Sequence, residues 1–384
     1  MAFFGNDAVN RVNLHTTVQA IAQAGGGVFF VVFLIKAGLS VPQALLAIAA
    51  IQLGRFILRP AILPLAKRWG LKPLLIVGTV GMALQYQALA QVHGVGWGLL
   101  ALCVTAAVAD VLYWPTYHAF FAAIGDAEHR GHQVSIRDAM VSVIGIVAPL
   151  LGAWGLVALG PGPMFGAVGV VQALSALPLL GAPNVPVKAQ VPGVLGTARL
   201  AVTLCAVDGW FDIWFLFVWQ IALFQSLGQS LSAFGGAMAL AALVGAVAGL
   251  LLGRHVDAGH GRRAVMIVAA VATIVVGLKA ASVGVPWAAV AANALGPIFY
   301  SLRGPVSGTP IYNLSQASAC PIRFTIATEA GWDVGSAAAC LASAGLAWAG
   351  VSLSLSILLA LPALGLSAWL LRRYYARAGL ALPA

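Results

Sequence analysis

Residues 231–253 read LSAFGGAMALAALVGAVAGLLLG, a run without a single charged side chain. A helix needs about 20 such residues to cross the hydrocarbon core of a bilayer. Eleven further apolar runs of comparable length fall at 14–36, 42–64, 73–92, 97–124, 134–159, 163–182, 200–224, 264–284, 287–312, 323–349 and 352–372. Because these runs are continuous and do not alternate in polarity, they predict helices and not barrel strands. The sequence therefore predicts an all-α polytopic membrane protein of about twelve transmembrane helices.

Composition places the chain in the same class. Of its 384 residues, 61% are hydrophobic and only 8% are charged, with a mean hydropathy of +0.97. Soluble domains carry about 25% charged residues. The formal charge of +10 would indicate a nucleic-acid partner in a soluble protein, but here the basic residues lie in short loops between apolar runs. They therefore predict topology, and no nucleic-acid partner is expected.

The side of the membrane follows from the Lys and Arg residues in those loops. With the N-terminus inside, most of them fall on the cytoplasmic side, and the opposite side holds Lys36, with Lys279 as the other candidate. We expect an integral protein of a bacterial inner membrane with both termini in the cytoplasm.

The two sets of six runs form a repeat. Residues recur at offsets of 305 − 115 = 190, 261 − 70 = 191 and 335 − 145 = 190, in the pairs Pro115 and Pro305, Gly70 and Gly261, and Gly145 and Gly335. These offsets agree with half the chain length, so we predict two pseudo-symmetric six-helix bundles around a central cavity. The predicted organisation is an N-terminal bundle at 1–182, a cytoplasmic linker at 183–199 and a C-terminal bundle at 200–384.

A loop motif stands between predicted helices 8 and 9, formed by Gly253, Asp257, Gly261, Arg262 and Arg263. The loop between helices 2 and 3 has a partial copy, KRWGLK at 67–72, with a lysine where the aspartate is expected. The pattern resembles the major facilitator superfamily, and the resemblance covers nearly the whole chain. It implies a carrier that works by alternating access, in which the aspartate helps to hold the inward gate closed.

Two further motifs carry that resemblance. Arg130, in EHRG at 128–131, is similar to the acidic-Arg-Gly turn that follows helix 4 in this superfamily. Pro149, in GIVAPLLG at 145–152, is similar to the Gly-Pro motif of its drug and metabolite antiporters, with Ala148 replacing the first glycine. The resemblance implies a gating role for these residues and favours proton-coupled efflux. The alternative is that Gly and Pro are simply frequent in membrane helices.

Five acidic residues lie at membrane depth and are candidate proton-coupling sites: Asp110 in helix 4, Asp208 and Asp212 in helix 7, and Glu329 and Asp333 in helix 11. Charged groups there are costly unless they face a cavity or a partner. Each i, i+4 pair shares one helix face, where two carboxylates cannot easily both ionise.

The alternative is that these acids only pair with the three arginines at the same depth, Arg55, Arg59 and Arg303. Five acids against three arginines leave two over. Arg303 also has a second reading, because a guanidinium suits a substrate carboxylate or phosphate. The sequence leaves both readings open, with Asp212 or Asp333 as the expected partner.

The other substrate-binding candidates are aromatic or polar. They are Tyr113, Trp114 and Tyr117 in helix 4, Trp210 and Trp214 in helix 7, and His15 and Gln19, which continue to Gln23 as a polar stripe on helix 1. Aromatic clusters bind flat or cationic molecules. The aromatic residues also suit helix packing, whereas we expect the stripe to face the cavity.

Nothing in the sequence indicates an enzyme, because it lacks a phosphate-binding glycine loop, a metal-ligand spacing and a nucleophile elbow. We expect no cofactor and no metal, a proton gradient as the energy source, and a monomer whose partners are a small molecule and the bilayer. The leading hypothesis is a proton-coupled exporter of a small organic molecule. The alternatives are an uptake symporter for an organic anion and a transporter-like receptor or lipid translocator.

Overall fold

Long helices form the chain in the computed structural model, which describes residues 6–125, 130–187, 194–252, 261–318 and 320–380. No strand occurs in these ranges. The helices are α1 Asp7–Lys36, α2 Val41–Trp69, α3 Leu71–Ala90, α4 Trp97–Ile124, α5 Arg130–Ala158, α6 Pro161–Leu180, α7 Val194–Asp212 with its continuation to Ser226, α8 Leu231–Leu252, α9 Gly261–Ser282, α10 Pro286–Gln316, α11 Pro321–Trp348 and α12 Leu353–Ala376. The all-α prediction is confirmed.

Ten of these helices, in the described ranges, are long and apolar enough to span a membrane, against about twelve predicted. The two others, α10 and α11, have 31 and 28 residues and so are long enough to cross. They are less apolar because both carry arginine and hydroxyl side chains, and α11 also carries two acidic ones. The difference from the prediction therefore concerns the composition of α10 and α11 and not their length.

Three helices change their geometry part-way. A 3₁₀ turn at Gly27–Phe29 interrupts α1, and another at Arg59–Ala61 interrupts α2, where Pro60 cannot donate a backbone hydrogen bond. In α7 the segment Ile213–Val218 is a π-helix. Such interruptions leave backbone carbonyls available to side chains, and in membrane helices they occur where the segment is buried in protein.

Helix pairing repeats between the two halves. In the first half α1 packs on α5 and α6, α3 on α4 and α6, and α2 on α4; in the second half α7 packs on α11 and α12, α9 on α10 and α12, and α8 on α10. The halves meet along two seams, α2 on α11 and α5 on α8, which the repeat interchanges. This arrangement fits the predicted pair of six-helix bundles, while the exact domain boundaries stay a prediction.

Candidate functional site

The α2–α11 seam contains a group of charged residues from both halves, here named the interface cluster: Arg55, Arg59, Asp110, Glu329 and Asp333. The Arg59 Nε donates to Asp333 Oδ2 at 2.7 Å, and its Nη2 contacts the same oxygen. Arg55 lies 3.0 Å from Asp333 Oδ1 through its Nε and donates to Glu329 Oε2 at 3.2 Å. Asp333 is completely buried. The two arginines of the first half are thus tied to the second half through α11.

Asp110 is the most loosely held member of this cluster. Its Oδ2 lies 3.8 Å from Arg55 Nη1, which is an ion pair but beyond hydrogen-bond distance. His118, half exposed, lies 3.8 Å from Glu329 through its Nε2. The five residues of the cluster comprise three carboxylates and two guanidinium groups, so the carboxylates exceed the arginines by one.

A second group lies inside the second half and is named the C-half cluster: Asp208, Asp212, Tyr300 and Arg303. The Arg303 Nη2 lies 2.6 Å from Asp208 Oδ1, and its Nη1 donates to Asp212 Oδ1 at 3.1 Å. The Tyr300 hydroxyl donates to the same Asp212 oxygen at 2.9 Å. The guanidinium also lies over the Phe211 ring, 5.5 Å from its centroid. This cluster too has one more carboxylate than arginine.

The ion pairs in the structure show which carboxylates each arginine contacts. Arg303 pairs with Asp212, one of its two predicted partners, and with Asp208, but Asp333 pairs instead with Arg55 and Arg59. All five acids have an arginine within 4 Å. From the sequence we expected two acids to be left without an arginine, because each arginine was paired with one acid. In the structure Arg55 contacts three carboxylates and Arg303 contacts two.

The polar stripe of α1 is divided between the helix bundle and a cavity. His15 is fully buried, with Nδ1 at 2.7 Å from the Ser175 carbonyl oxygen and Nε2 at 2.9 Å from the Tyr113 hydroxyl. That hydroxyl donates to Gln19 Oε1 at 2.5 Å. Of the stripe, Gln23 alone lines the cavity described next. The expectation that the whole stripe faces the cavity was therefore wrong for His15 and Gln19, whose hydrogen bonds join α1, α4 and the end of α6.

A cavity of about 300 Å³, here named the N-half cavity, lies among α1, α2, α3 and α4. Phe217 of α7 contributes to its lining from the second half. The polar and aromatic residues that line it from the first half are Gln23, Phe30, Gln52, Gln85, Tyr86, Asp110 and Trp114. It has the volume of a small-ligand pocket, and it brings two predicted residues, Asp110 and Trp114, to one wall.

The remaining aromatic candidates pack within the bundles. Tyr117 stacks on Tyr113 with ring centroids 5.6 Å apart. The Trp210 Nε1 donates to the Leu359 carbonyl at 3.0 Å, and Trp214 is completely buried. The cavity beside Asp208 and Arg303 measures about 30 Å³, room for about two waters. Neither tryptophan lines that cavity, and the hydrogen bond of Trp210 and the burial of Trp214 favour packing over ligand contact for both.

Only some of the predicted gating residues lie in the described part of the chain. Gly253, Asp257 and the side chain of Arg130 lie outside the described residues. Gly261 begins α9 in close contact with the Tyr375 ring, and Arg262 and Arg263 are exposed beside it. Their gating role stays a prediction.

Pro149 lies in the α5–α8 seam. A Cβ at Gly235 of α8 would lie 2.7 Å from the Pro149 carbonyl oxygen and 2.6 Å from the Ala153 Cβ. Gly152, one turn further along α5, is packed against the Gly25 carbonyl of α1. Small residues thus let three helices approach closely at the predicted Gly-Pro motif.

Sequence reasoning missed two kinds of residue. Gln52 and Gln85 line the N-half cavity but stood in apolar runs without a pattern to single them out. Lys279 was considered only as a candidate for the non-cytoplasmic side, whereas it is buried in α9 and its Nζ donates to the Phe215 carbonyl in the π segment at 3.0 Å. A lysine inside an apolar run was the available signal.

Comparisons with known proteins fit this geometry. Residues 16–206 match the sequence model of the Major Facilitator Superfamily, and no curated protein matches the chain. Among solved structures it is similar to the POT family transporter PepTSo, with 13% identity, a TM-score of 0.66 and coverage of 98% of this chain and 99% of that one. An auto-inhibited POT family peptide transporter shares 14% identity and a TM-score of 0.62, covering 98% and 97%.

The human organic anion transporter MFSD10 (TETRAN) shares 15% identity and a TM-score of 0.65, covering 95% of this chain and 99% of that one. At these identities the likeness is one of fold. Together with the superfamily match it supports membrane transport, and the predictions of an integral membrane protein and of no enzyme are confirmed.

Proposed function

Since the chain has the fold of the Major Facilitator Superfamily, we propose that it is a secondary active transporter that exchanges a small organic molecule for protons by alternating access. The observation that carries this proposal is the interface cluster. It joins α2 of one half to α11 of the other through ion pairs, and Asp110 of α4 is linked to these pairs through Arg55. A group that changes charge in this place acts directly on the contact between the halves.

The surplus carboxylate of that cluster supplies the coupling. An uncompensated charge at membrane depth is costly, so the third carboxylate needs a proton or another cation as its counter-charge. A ligand or proton shifts a conformational equilibrium only by binding the two states differently. Because the cluster is assembled from both halves, its affinity for a proton differs between states in which the halves are together or apart on that side.

Export is the direction we propose, from the likeness of residues 145–152 to the antiporter motif and from the close packing of that segment at the α5–α8 seam. The alternative of organic-anion uptake depended on Arg303 binding the anionic group of a substrate. Arg303 is already held by two carboxylates of its own cluster, so nothing in its surroundings favours that alternative. A receptor or lipid translocator needs no proton coupling, and the experiments below separate it from a carrier.

The setting we propose is a bacterial inner membrane, with both termini in the cytoplasm. There the chain acts as a monomer, with the proton gradient in place of any cofactor.

The first test is transport in proteoliposomes that contain a pH-sensitive dye and have an acidic interior. Three probes of similar shape are added outside: benzylguanidinium as a cation, benzylurea as a neutral molecule and 3-phenylpropionate as an anion. We expect protein-dependent proton efflux with at least one probe, and none in protein-free liposomes. Probe entry without proton movement would contradict coupling.

The second test needs no ligand. Spin labels at positions 93 and 285, in the α3–α4 and α9–α10 turns, report the distance between the halves across a pH series, after replacement of the four native cysteines by Ala. We expect the distance distribution to shift with pH, and the shift to be lost in Asp110→Asn. The matched control is Asp212→Asn in the C-half cluster, which should keep the shift. A distribution that is independent of pH in the unmodified protein would overturn the proposal.

A further inference from the structure

We infer that the N-half cavity binds a small flat organic cation, whose ammonium or guanidinium group takes the place of a proton at Asp110. This inference rests on the proposed function and adds the chemical class of the substrate. It is carried by three features of the cavity wall: open hydrogen-bond acceptors, the sign of the charge and the aromatic lining.

Two amides in the wall have an oxygen without a partner in the described part of the chain. Gln52 of α2 is only 4% exposed, and its Oε1 has no hydrogen bond; the Oε1 of Gln85 on α3 has none either. Both side chains line the cavity. Both oxygens are themselves buried, so they reach the cavity only when the amide rotates. Because a buried acceptor without a partner is unfavourable, a ligand with several N–H groups in the cavity favours that rotation.

Charge points to the same ligand. Among the lining residues that the structure describes, Asp110 is the one carboxylate, and there is no lysine, arginine or histidine. Arg55 is the arginine nearest to it, at 3.8 Å, and that guanidinium is held by Glu329 and Asp333 at shorter distances. The cluster's surplus negative charge is therefore presented to the cavity, where an anion would be repelled.

The remaining wall suits an aromatic body. Trp114 and Tyr86 line the cavity from the first half of the chain, and Phe217 of α7 lines it from the second half. Aromatic faces attract cations and bind flat rings. A cavity of about 300 Å³ is at the lower limit for small-molecule sites, which corresponds to a ligand of about a dozen heavy atoms.

Exchange follows from a charge balance. When the Asp110 carboxyl carries a proton, the cluster is neutral; when a cation binds, the proton leaves to solvent and the carboxylate pairs with the cation. The cluster is neutral in both cases, with two carboxylates opposite two arginines and the third opposite either a proton or the ligand. One site that holds the proton and the cation in turn produces antiport without a separate coupling residue.

Binding to the purified protein in detergent tests this inference by calorimetry with the three probes named above. We expect benzylguanidinium to bind more tightly than benzylurea, which has the same shape without the charge, and 3-phenylpropionate not to bind. Titrations in two buffers of different ionisation enthalpy should show release of about one proton per cation bound.

Variants identify the contacts. Asp110→Asn should weaken benzylguanidinium about 10- to 100-fold and remove the preference over benzylurea. Gln52→Leu should weaken both probes, because both donate N–H groups. The matched control is Gln172→Leu: Gln172 is fully buried in the same half, its Oε1 also lacks a partner in the described chain, and it does not line the cavity. It should bind as the unmodified protein does.

Equal affinity for the cation and the urea, tighter binding of 3-phenylpropionate, no binding of benzylguanidinium, or an Asp110→Asn variant with unchanged affinity would each overturn the cation site. These results leave the proposed function standing if the distance between the spin labels still depends on pH. Loss of that dependence, with cation binding intact, would instead contradict proton-coupled transport and retain the site.

Discussion

The interface cluster and the C-half cluster have nearly the same chemistry in different places. Each buries arginine among carboxylates and has one carboxylate in excess. The C-half cluster is contained in one bundle, where α7 and α10 hold Arg303 between two acids and a ring of aromatic side chains. The interface cluster joins the two bundles and borders the larger cavity.

This difference in place predicts a difference in role. Charges within one rigid bundle keep the same neighbours while the halves move, so they serve stability. Charges shared between bundles change their neighbours when the halves separate, so their protonation enters the energy of that movement. Substitutions that leave a buried charge without its partner test both statements, because the loss of stability shows how much the fold depends on that ion pair.

The largest effect is expected for Asp333→Ala. It leaves Arg55 and Arg59 without the buried carboxylate that both contact, and removing one partner of a buried ion pair costs about 3–5 kcal/mol. The thermal unfolding midpoint in detergent measures this loss. Glu329→Gln is the control within the same cluster, because Glu329 is 19% exposed and meets one arginine. An equal loss in both variants would show that Asp333 does not anchor the seam.

A smaller loss is expected for Arg303→Lys, about 2 kcal/mol for a lost hydrogen bond between charged groups. Two different nitrogens of the guanidinium reach Asp208 and Asp212, and a single ammonium cannot keep both contacts. Adding Asp208→Asn should restore part of the unfolding midpoint, because it removes the orphaned charge. Affinity for benzylguanidinium should stay unchanged throughout. A weaker affinity at an unchanged midpoint would instead make Arg303 a ligand group.

Packing between the halves can also be tested without changing a charged residue. At the α5–α8 seam, Gly235→Ala places a methyl group 2.6 Å from the Ala153 Cβ and should cost about 1–2 kcal/mol. Gly236→Ala is the control, since a Cβ there has no neighbour within 4 Å; it should be neutral or stabilising through helix propensity. Unfolding midpoints measure both. A stabilised Gly235→Ala would show that the seam is not closely packed.

How far the sequence predicts this molecule depends on the range of the interaction. Hydropathy and a repeat of about 190 residues were sufficient for the helices and the two halves, because they are properties of one helix or of the chain itself. The i, i+4 spacing correctly placed Glu329 and Asp333 on one face. Their partner could not be read from spacing, because it depends on α2 packing against α11, a contact between residues 274 positions apart.

The cavity was harder to predict than the clusters. Gln52 and Gln85 are polar residues in apolar runs, and so is Gln172, yet only the first two line the cavity. Periodicity shows which residues share a face of a helix, but it does not show which buried face lines a cavity. His15 and Gln19 were misplaced for that reason: a buried polar stripe is satisfied equally well by a neighbouring helix as by a cavity.

The smallest effect is expected for Lys279→Met, because Lys279 is a buried basic residue whose surroundings differ from those of both clusters. In the described part of the chain no carboxylate is paired with Lys279; its Nζ donates to the Phe215 carbonyl and lies 3.5 Å from the centroid of that ring. Methionine has a similar length and flexibility, so the substitution removes a desolvated amino group without leaving a charged partner behind. The lost hydrogen bond costs about 1 kcal/mol, and the relief of desolvation offsets it. We therefore expect the unfolding midpoint to change by less than that of Arg303→Lys. A loss as large as that of Asp333→Ala would mean that the π segment of α7 depends on the Lys279 amino group, and that stability is not lost through orphaned ionic partners alone.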